Sequence, residues 1–168
     1  MNVKTNGKID RATISNHLGL ENEKMYELSE ALNQLLCDYH VVYQNVRGFH
    51  WNVTGSDFFD LHVRFEELYK QLNTNIDDLA ERVITIGFKP LHAYSDFLDR
   101  TALKEIKNVK DGKLCVNHVI NDLGIIIAEQ RKAAKLSDEA EDIATTDMLT
   151  RFVVDLEKRL WMFTMFNK

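Results

Sequence analysis

Helix-breaking residues are scarce in this chain of 168 residues, which contains one proline and seven glycines. With abundant Leu, Ile, Glu, Lys and Ala, this composition predicts an all-α protein. The chain also lacks an apolar run of about 18 residues, so we expect no membrane-spanning helix and no membrane partner. Its first residues contain no apolar signal-peptide core, which predicts a cytoplasmic protein.

Cysteine and excess basic charge are also lacking. The two cysteines are interpreted as reduced, buried thiols. The formal net charge of −5 argues against a strongly basic nucleic-acid surface on the folded body. Residues 1–20 are polar and predict a flexible tail, either an ordinary loose terminus or a DNA-contacting arm. The basic residues of this tail are Lys4, Lys8 and Arg11.

Apolar residues recur at steps of three and four in four long segments, which predicts four amphipathic helices. The first three predicted helices cover about residues 23–51, 57–86 and 111–135, and the fourth carries the apolar residues from Leu149 to Phe163 and ends in WMFTMF. A long connection over residues 88–110 separates the second from the third and contains one predicted short helix, residues 95–106. Four helices with one long crossover predict a four-helix bundle domain over residues 21–168.

Imidazole and carboxylate side chains suited to iron or zinc are concentrated in residues 48–87. His62 and Glu66 are four residues apart, as are Asp77 and Glu81, so each pair shares a helix face. His62 and Asp77 are separated by about 22 Å of helix, which no single metal centre spans. Either the two pairs are unrelated, or each is half of a site that another copy of the chain completes across a two-fold axis.

A helical-wheel count favours the second alternative. When His62 is placed at 0° on the wheel, Glu66, Asp77 and Glu81 fall with it inside an arc of about 100°. The apolar residues of the helix fall on a separate arc, whose centre lies about 130° away. The ligand face is therefore predicted to point toward solvent or a partner. His50, at the end of the first helix, is a further candidate ligand, although the helix dipole alone would also favour an imidazolium there.

Acidic residues are concentrated a second time, in residues 136–147. One interpretation is a solvated loop followed by a helix N-terminus, where acids suit the helix dipole. The other is a path for cations, lined by carboxylates from several subunits.

Two stretches of the chain resemble the signature sequences of the Dps family, the bacterial mini-ferritins known as DNA-binding proteins from starved cells. They are HWNVTGSDFFDLHVRFE at residues 50–66 and IDDLAERVITIG at residues 76–87. The helical layout extends this resemblance over about residues 20–168. It implies ferritin-like four-helix subunits, with a short helix in the crossover, that assemble into a hollow homododecamer. The chain contains no Glu-x-x-His, the motif of a di-iron site inside a bundle, in agreement with a site between subunits.

The resemblance also implies a ferroxidase site at each two-fold interface. By position in the motif, His50, His62 and Glu66 would come from one chain, and Asp77 and Glu81 from its partner. Glu66 stands where family members commonly have Asp. The implied reaction oxidises Fe(II), with hydrogen peroxide in preference to dioxygen, and stores Fe(III) in the cavity, which protects DNA from oxidative damage.

The acidic segment resembles the negatively charged three-fold pore region of the same family, with Asp138, Asp142 and Asp147 as candidate pore residues. The alternative function is a nucleoid-associated DNA-binding protein whose metal chemistry is secondary. A purely structural or signalling helix bundle with chance His and acidic residues is the third hypothesis.

Overall fold

Five helices and no β-strand occur in residues 18–168, the part of the chain that the computed structural model describes. They are α1 (Asn22–Asn52), α2 (Phe58–Thr85), α3 (Tyr94–Arg100), α4 (Gly112–Glu139) and α5 (Ile143–Phe166). The long helices α1, α2, α4 and α5 form the bundle, and the short α3 lies in the crossover, which confirms the predicted fold class. The predicted DNA-contacting arm, with Lys4, Lys8 and Arg11, lies outside the described residues.

The core of the bundle lies along the apolar faces of the four long helices. Helix α1 pairs with α2, α4 pairs with α5, and α1 also packs on α4. The predicted apolar face of α2 is buried at Leu61, Phe65, Leu68, Leu72 and Leu79. Each buried leucine contributes about 2 kcal/mol of hydrophobic stabilisation. The opposite face of α2, which carries the candidate ligands, is thereby held outward.

A Schellman motif ends α2. Gly87 has a φ of 92°, its N–H donates to the Ile84 carbonyl at 2.9 Å, and the Phe88 N–H donates to the Val83 carbonyl at 2.9 Å. A residue with a Cβ is strained at this backbone angle, which explains the glycine. As the sequence predicted, the helix stops just before Gly87.

The loop before α2 is tied to the start of α4. The Thr54 N–H donates to the Lys110 carbonyl at 2.9 Å, and the Asp111 side chain caps α4 by accepting from the Leu114 N–H at 2.9 Å. Gly112 allows a close approach here, because a Cβ on it would lie 2.7 Å from Cδ1 of Leu61. These contacts fix the N-terminal end of α2, where His62 lies.

The short helix of the crossover is shorter than predicted. It ends at Arg100 and not near residue 106, because buried side chains of α1 hold the following backbone in another conformation. Oδ1 of Asp38 accepts from the Ala102 N–H at 2.8 Å, and Oδ1 of Asn45 accepts from the Ile106 N–H at 2.9 Å. The second half of the predicted helix is therefore an extended strap across α1.

Helix α4 runs to Glu139, four residues beyond the predicted end at Lys135. Ser137 is buried in this extra turn, and its hydroxyl lies 2.8 Å from the Ala134 carbonyl and 2.8 Å from the Thr146 hydroxyl. These contacts with α5 stabilise the last turn of α4. The acidic segment therefore contains a helix end, a short turn and the start of α5.

Candidate metal centre

Two histidines meet where α1 ends and α2 begins. The rings of His50 and His62 stack with centroids 3.8 Å apart and planes inclined by 21°. Nδ1 of His50 lies 2.8 Å from the His62 carbonyl oxygen, and Nδ1 of His62 lies 2.8 Å from the His50 carbonyl oxygen. Since a carbonyl only accepts, each Nδ1 carries a proton and donates it. Each Nε2 is thereby left for a metal ion or a second proton.

Aromatic rings hold this pair in place. Phe58 stacks on His62 at a centroid distance of 5.1 Å, and Tyr69 meets the His50 ring edge-on at 5.3 Å. His50 is only 9% exposed. Rings packed in this way cannot rotate freely, so the orientation of both imidazoles is set before any ligand arrives. Trp51 is exposed beside them, with the Arg47 guanidinium 4.8 Å from its ring centroid.

Glu66 lies one turn after His62 and is half-buried. Its Oε1 forms an ion pair with Nζ of Lys70 at 2.5 Å. The hydrogen bond and positive charge of Lys70 lower the pKa of the Glu66 carboxyl, and the nearby His50 and His62 act in the same direction. Glu66 is therefore a carboxylate near the imidazoles, and a cation that binds its Oε1 competes with Lys70.

Asp77 and Glu81 lie on the second half of α2, one turn apart and exposed. Within residues 18–168 neither carboxylate has a hydrogen bond or an ion pair with another side chain. Two unpaired carboxylates at this spacing are free to bind a cation supplied from outside the chain.

One chain does not bring the five predicted ligands together. His50, His62 and Glu66 lie near one another at the N-terminal end of α2, whereas Asp77 and Glu81 lie about 22 Å further along the same helix. Accordingly, the described part of the chain contains no group of three or more His, Cys, Asp or Glu side chains arranged to hold a metal ion.

Asp142 differs from the other acids because it is 2% exposed. It caps α5 by accepting from the Thr145 N–H at 3.1 Å, and Nη2 of Arg82 donates to its Oδ1 at 2.6 Å. Burial raises the pKa of this carboxyl, but the hydrogen bonds from Arg82 and Thr145 outweigh burial and lower it. Of the three candidate pore residues, only Asp138 and Asp147 are exposed.

Sequence reasoning missed two residues around these carboxylates. Arg82 directly follows Glu81, and only the packing of α2 against the start of α5 shows that it binds Asp142. Lys70 stands four residues after Glu66, a spacing that signals an ion pair on a helix and could have been noticed.

Comparisons with known proteins agree with this arrangement. A model of the ferritin-like domain matches residues 29–168. A DNA protection during starvation protein from Brevibacillus brevis is 39% identical over 135 residues, which cover 80% of this chain and 91% of that protein. The chain belongs to the Dps family of ferritin-like proteins. The predicted family is therefore confirmed.

Two further comparisons extend over most of the chain. General stress protein 20U of Bacillus subtilis strain 168 is 36% identical over 136 residues, which cover 81% of this chain and 94% of that protein. The crystal structure of the Vibrio cholerae O1 DPS protein matches with a TM-score of 0.90 and 35% identity, covering 92% of this chain and 98% of that one. That protein is described as a member of the ferritin-like diiron-carboxylate superfamily.

The sequence predicted no membrane-spanning helix. None of the helices in residues 18–168 is long and apolar enough to cross a membrane.

Proposed function

We propose that this Dps-family protein oxidises Fe(II) at sites shared between two subunits and stores the Fe(III) inside a hollow homododecamer in the cytoplasm. Each site takes His50, His62 and Glu66 from one chain, and Asp77 and Glu81 from the partner subunit. The observation that supports it best is the separation of two ligand groups. His50 of α1 meets His62 near the N-terminal end of α2, with Glu66 one turn further on, and Asp77 and Glu81 project from the second half of α2.

The side chains present fit iron as a substrate. Imidazole nitrogen and carboxylate oxygen together bind Fe(II), and carboxylates favour the more highly charged Fe(III) product. The reciprocal His50–His62 bonds leave both Nε2 atoms without a partner among residues 18–168, so no contact within that part of the chain has to be broken there. At Glu66 the exposed Lys70 competes for Oε1.

The chemistry of the oxidant explains how such a site protects DNA. Hydrogen peroxide accepts two electrons, and two Fe(II) ions supply one each, so the peroxide is reduced to two hydroxide ions without release of hydroxyl radical. Dioxygen is the alternative oxidant. Exposed carboxylates at Asp138 and Asp147 would raise the local Fe(II) concentration where the cation enters the shell.

Half-site complementation tests the shared site. One variant, His50→Ala with His62→Ala, lacks the imidazole half, and the other, Asp77→Ala with Glu81→Ala, lacks the carboxylate half. Shells of either variant alone are expected to oxidise Fe(II) no faster than buffer. When the two variants are co-expressed and pair at random, half of the subunit pairs contain one copy of each. Each mixed pair has two sites, of which one is intact. About a quarter of the wild-type rate should therefore return.

The protein is loaded with Fe(II) under anaerobic conditions and titrated with hydrogen peroxide. The absorbance of Fe(III) measures the oxidation, and a spin trap detects hydroxyl radical. A wild-type endpoint at two Fe(II) per peroxide with no trapped radical supports the proposal. A mixed shell no faster than the single-variant shells would show that subunits do not share the site. Wild-type rates in either variant alone would show that the ligand assignment is wrong.

A second candidate function is protection of DNA by direct binding. The Brevibacillus brevis relative is named a DNA protection during starvation protein, and that name fits either mechanism. The two mechanisms separate in a DNA-nicking assay with Fe(II) and peroxide. If iron chemistry protects DNA, wild-type protein prevents nicking and the His50→Ala, His62→Ala variant does not. If contact protects DNA, both proteins retard DNA in a gel at stated salt, and removal of residues 1–15 abolishes protection in both.

A further inference from the structure

A repeat of three residues runs through the end of the crossover and into the first turn of α4, over residues 103–113, here called the lysine strap. In each repeat an apolar residue or a glycine is followed at once by a lysine, in the pairs Leu103–Lys104, Ile106–Lys107, Val109–Lys110 and Gly112–Lys113. The first member of each pair is buried or packs half-buried on the core, and all four lysines are exposed. The repeat therefore holds one side of the strap on the bundle and directs the lysines to solvent.

The backbone of the lysine strap is fixed to the bundle at several points. The Lys104 carbonyl accepts from Nδ2 of Asn45 at 3.0 Å, and the Ile106 N–H donates to Oδ1 of the same asparagine at 2.9 Å. Further along, the Lys110 carbonyl accepts from the Thr54 N–H at 2.9 Å. Because the backbone is already ordered, a ligand that binds these lysines does not have to order it.

Most of the positive charge on the lysine strap is not neutralised by neighbouring acids. Lys107 pairs with Glu105 at 3.4 Å, and the other acid of the strap, Asp111, uses its carboxylate to cap α4. The remaining side chains have no hydrogen bond or ion pair within residues 18–168, and they are Lys104, Lys110 and Lys113. The strap is thus a local exception on a chain whose formal net charge is −5.

Lys113 occupies a position that is locally unfavourable for a lysine. It lies in the first turn of α4, and the N-terminus of a helix carries a partial positive charge that repels a cation. No acidic side chain in the described part of the chain pairs with it to offset this repulsion. A lysine at this position favours an anion that comes from outside the chain.

We propose that the lysine strap binds the phosphate backbone of duplex DNA. Three residues of extended chain span about 10 Å, so the four lysines are spread over at most about 30 Å. A line of cations suits a rod-shaped polyanion, whose phosphates the long lysine side chains can reach one by one. A flat anionic membrane would also meet the acidic side chains around the strap, and like charges repel.

The inference rests on the second candidate function, direct DNA binding, and it places a contact on the folded body. The tail adds Lys4, Lys8 and Arg11 to the same attraction. Since contacts with phosphates carry no base information, binding through the strap is independent of DNA sequence.

Removal of the three unpaired charges tests the contact. The triple variant Lys104→Gln, Lys110→Gln, Lys113→Gln of the full-length, iron-free protein should bind a duplex about tenfold more weakly at low salt. The slope of log K against log salt concentration should become shallower by about three, one for each lost phosphate contact. Fluorescence anisotropy of a labelled duplex over a range of salt concentrations measures both, on two duplexes of unrelated sequence.

The matched control replaces three exposed lysines that each pair with a glutamate, by Lys24→Gln, Lys132→Gln and Lys135→Gln. It has the same net charge as the strap variant and is expected to bind DNA within about twofold of wild type. A second strap variant, with arginine at positions 104, 110 and 113, keeps the charges and should keep the wild-type affinity. Circular dichroism compares the helicity of all variants.

Lysine acetylation locates the contact on the wild-type chain without any substitution. The protein is acetylated briefly with and without duplex DNA, and mass spectrometry measures the modification of each lysine. DNA should slow acetylation of Lys104, Lys110 and Lys113 and leave that of Lys132 and Lys135 unchanged. Equal protection of both sets would overturn the proposed surface.

The outcomes separate the surface from the function on which it rests. If the wild-type protein does not bind the duplex even at low salt, direct DNA binding is wrong, and the strap contact with it. If DNA binding is unchanged in the glutamine strap variant, or is weakened equally in the matched control, only the strap contact is wrong. None of these results bears on the proposed iron site, because iron is absent from the measurements.

Discussion

Two groups of acidic side chains that look alike in the sequence have different surroundings in the fold. Asp77 and Glu81 on α2 are exposed, and in the described part of the chain no side chain pairs with their carboxylates. Asp142, in the acidic segment before α5, is buried and fully engaged with Arg82 and Thr145. The comparison shows that the surroundings of a carboxylate, and not local acid density, decide whether it has a side-chain partner within the protein.

The two groups are also mechanically joined. Arg82 follows Glu81 on α2 and points to the other side of the helix, where it binds Asp142 at 2.6 Å. This contact holds the carboxylate half of α2 against the start of α5. One arginine therefore fixes the segment from which Asp77 and Glu81 project.

The largest effect is expected at Asp142. Asp142→Ala removes the α5 cap and leaves the guanidinium of Arg82 without its anion, which should lower the free energy of unfolding by about 3 kcal/mol. Chemical denaturation at a fixed protomer concentration measures this loss. The exposed Asp138→Ala is the control, with an expected change within about 0.5 kcal/mol. Equal losses in both variants would show that burial does not distinguish Asp142 from an exposed acid.

The same carboxyl predicts a pH dependence. Its pKa is lower in the folded protein than the ordinary value of 3.8, so the unfolded chain binds the proton more readily. The stabilisation by Asp142 is thus complete above the ordinary pKa and is lost as the pH falls through the lower, folded value. The stability difference between wild type and Asp142→Ala should shrink in that acidic range, and a difference that grew there would contradict the sign.

A smaller effect is expected at Asp147, which is exposed and lies 3.3 Å from Nε of Arg151. Asp147→Asn should slow Fe(II) uptake about threefold at low ionic strength and less at high ionic strength, because salt screens the attraction. Stopped-flow absorbance at two salt concentrations measures uptake. Asp99→Asn, which changes an exposed acid of α3, is the control, and equal slowing in both variants would argue against a local pore.

The smallest effect is expected at Lys70, which forms an ion pair with the carboxylate of Glu66. Lys70→Met removes the competing ion pair and should tighten binding of Co(II), a spectroscopic probe for Fe(II), about twofold, as expected for an exposed pair. Titration of the visible Co(II) bands measures the change. Arg64→Met, which breaks the Arg64–Glu67 pair on another face of α2, is the matched control. Weaker Co(II) binding in Lys70→Met would mean that Lys70 supports the site.

The bounds of a helix could be predicted wherever they depend on the apolar pattern of the helix itself. Helices α1 and α2 lie within two residues of their predicted bounds, because the apolar period and the glycine after α2 are local signals. The predictions were wrong where another segment decides the local conformation. Asp38 and Asn45 of α1 unwind the end of the predicted crossover helix, and contacts with Thr146 extend α4 by one turn.

For the candidate site, the sequence by itself determined which candidate side chains are available and how far apart the two groups lie on α2, because residue spacing on a single helix is a matter of geometry. Only the tertiary structure decided the protonated Nδ1 of each histidine, the ion pair on Glu66 and the burial of Asp142. The histidine bonds and the burial of Asp142 depend on segments brought together by folding. Lys70 lies on the same helix as Glu66, but the conformations of two long side chains decide whether that ion pair forms.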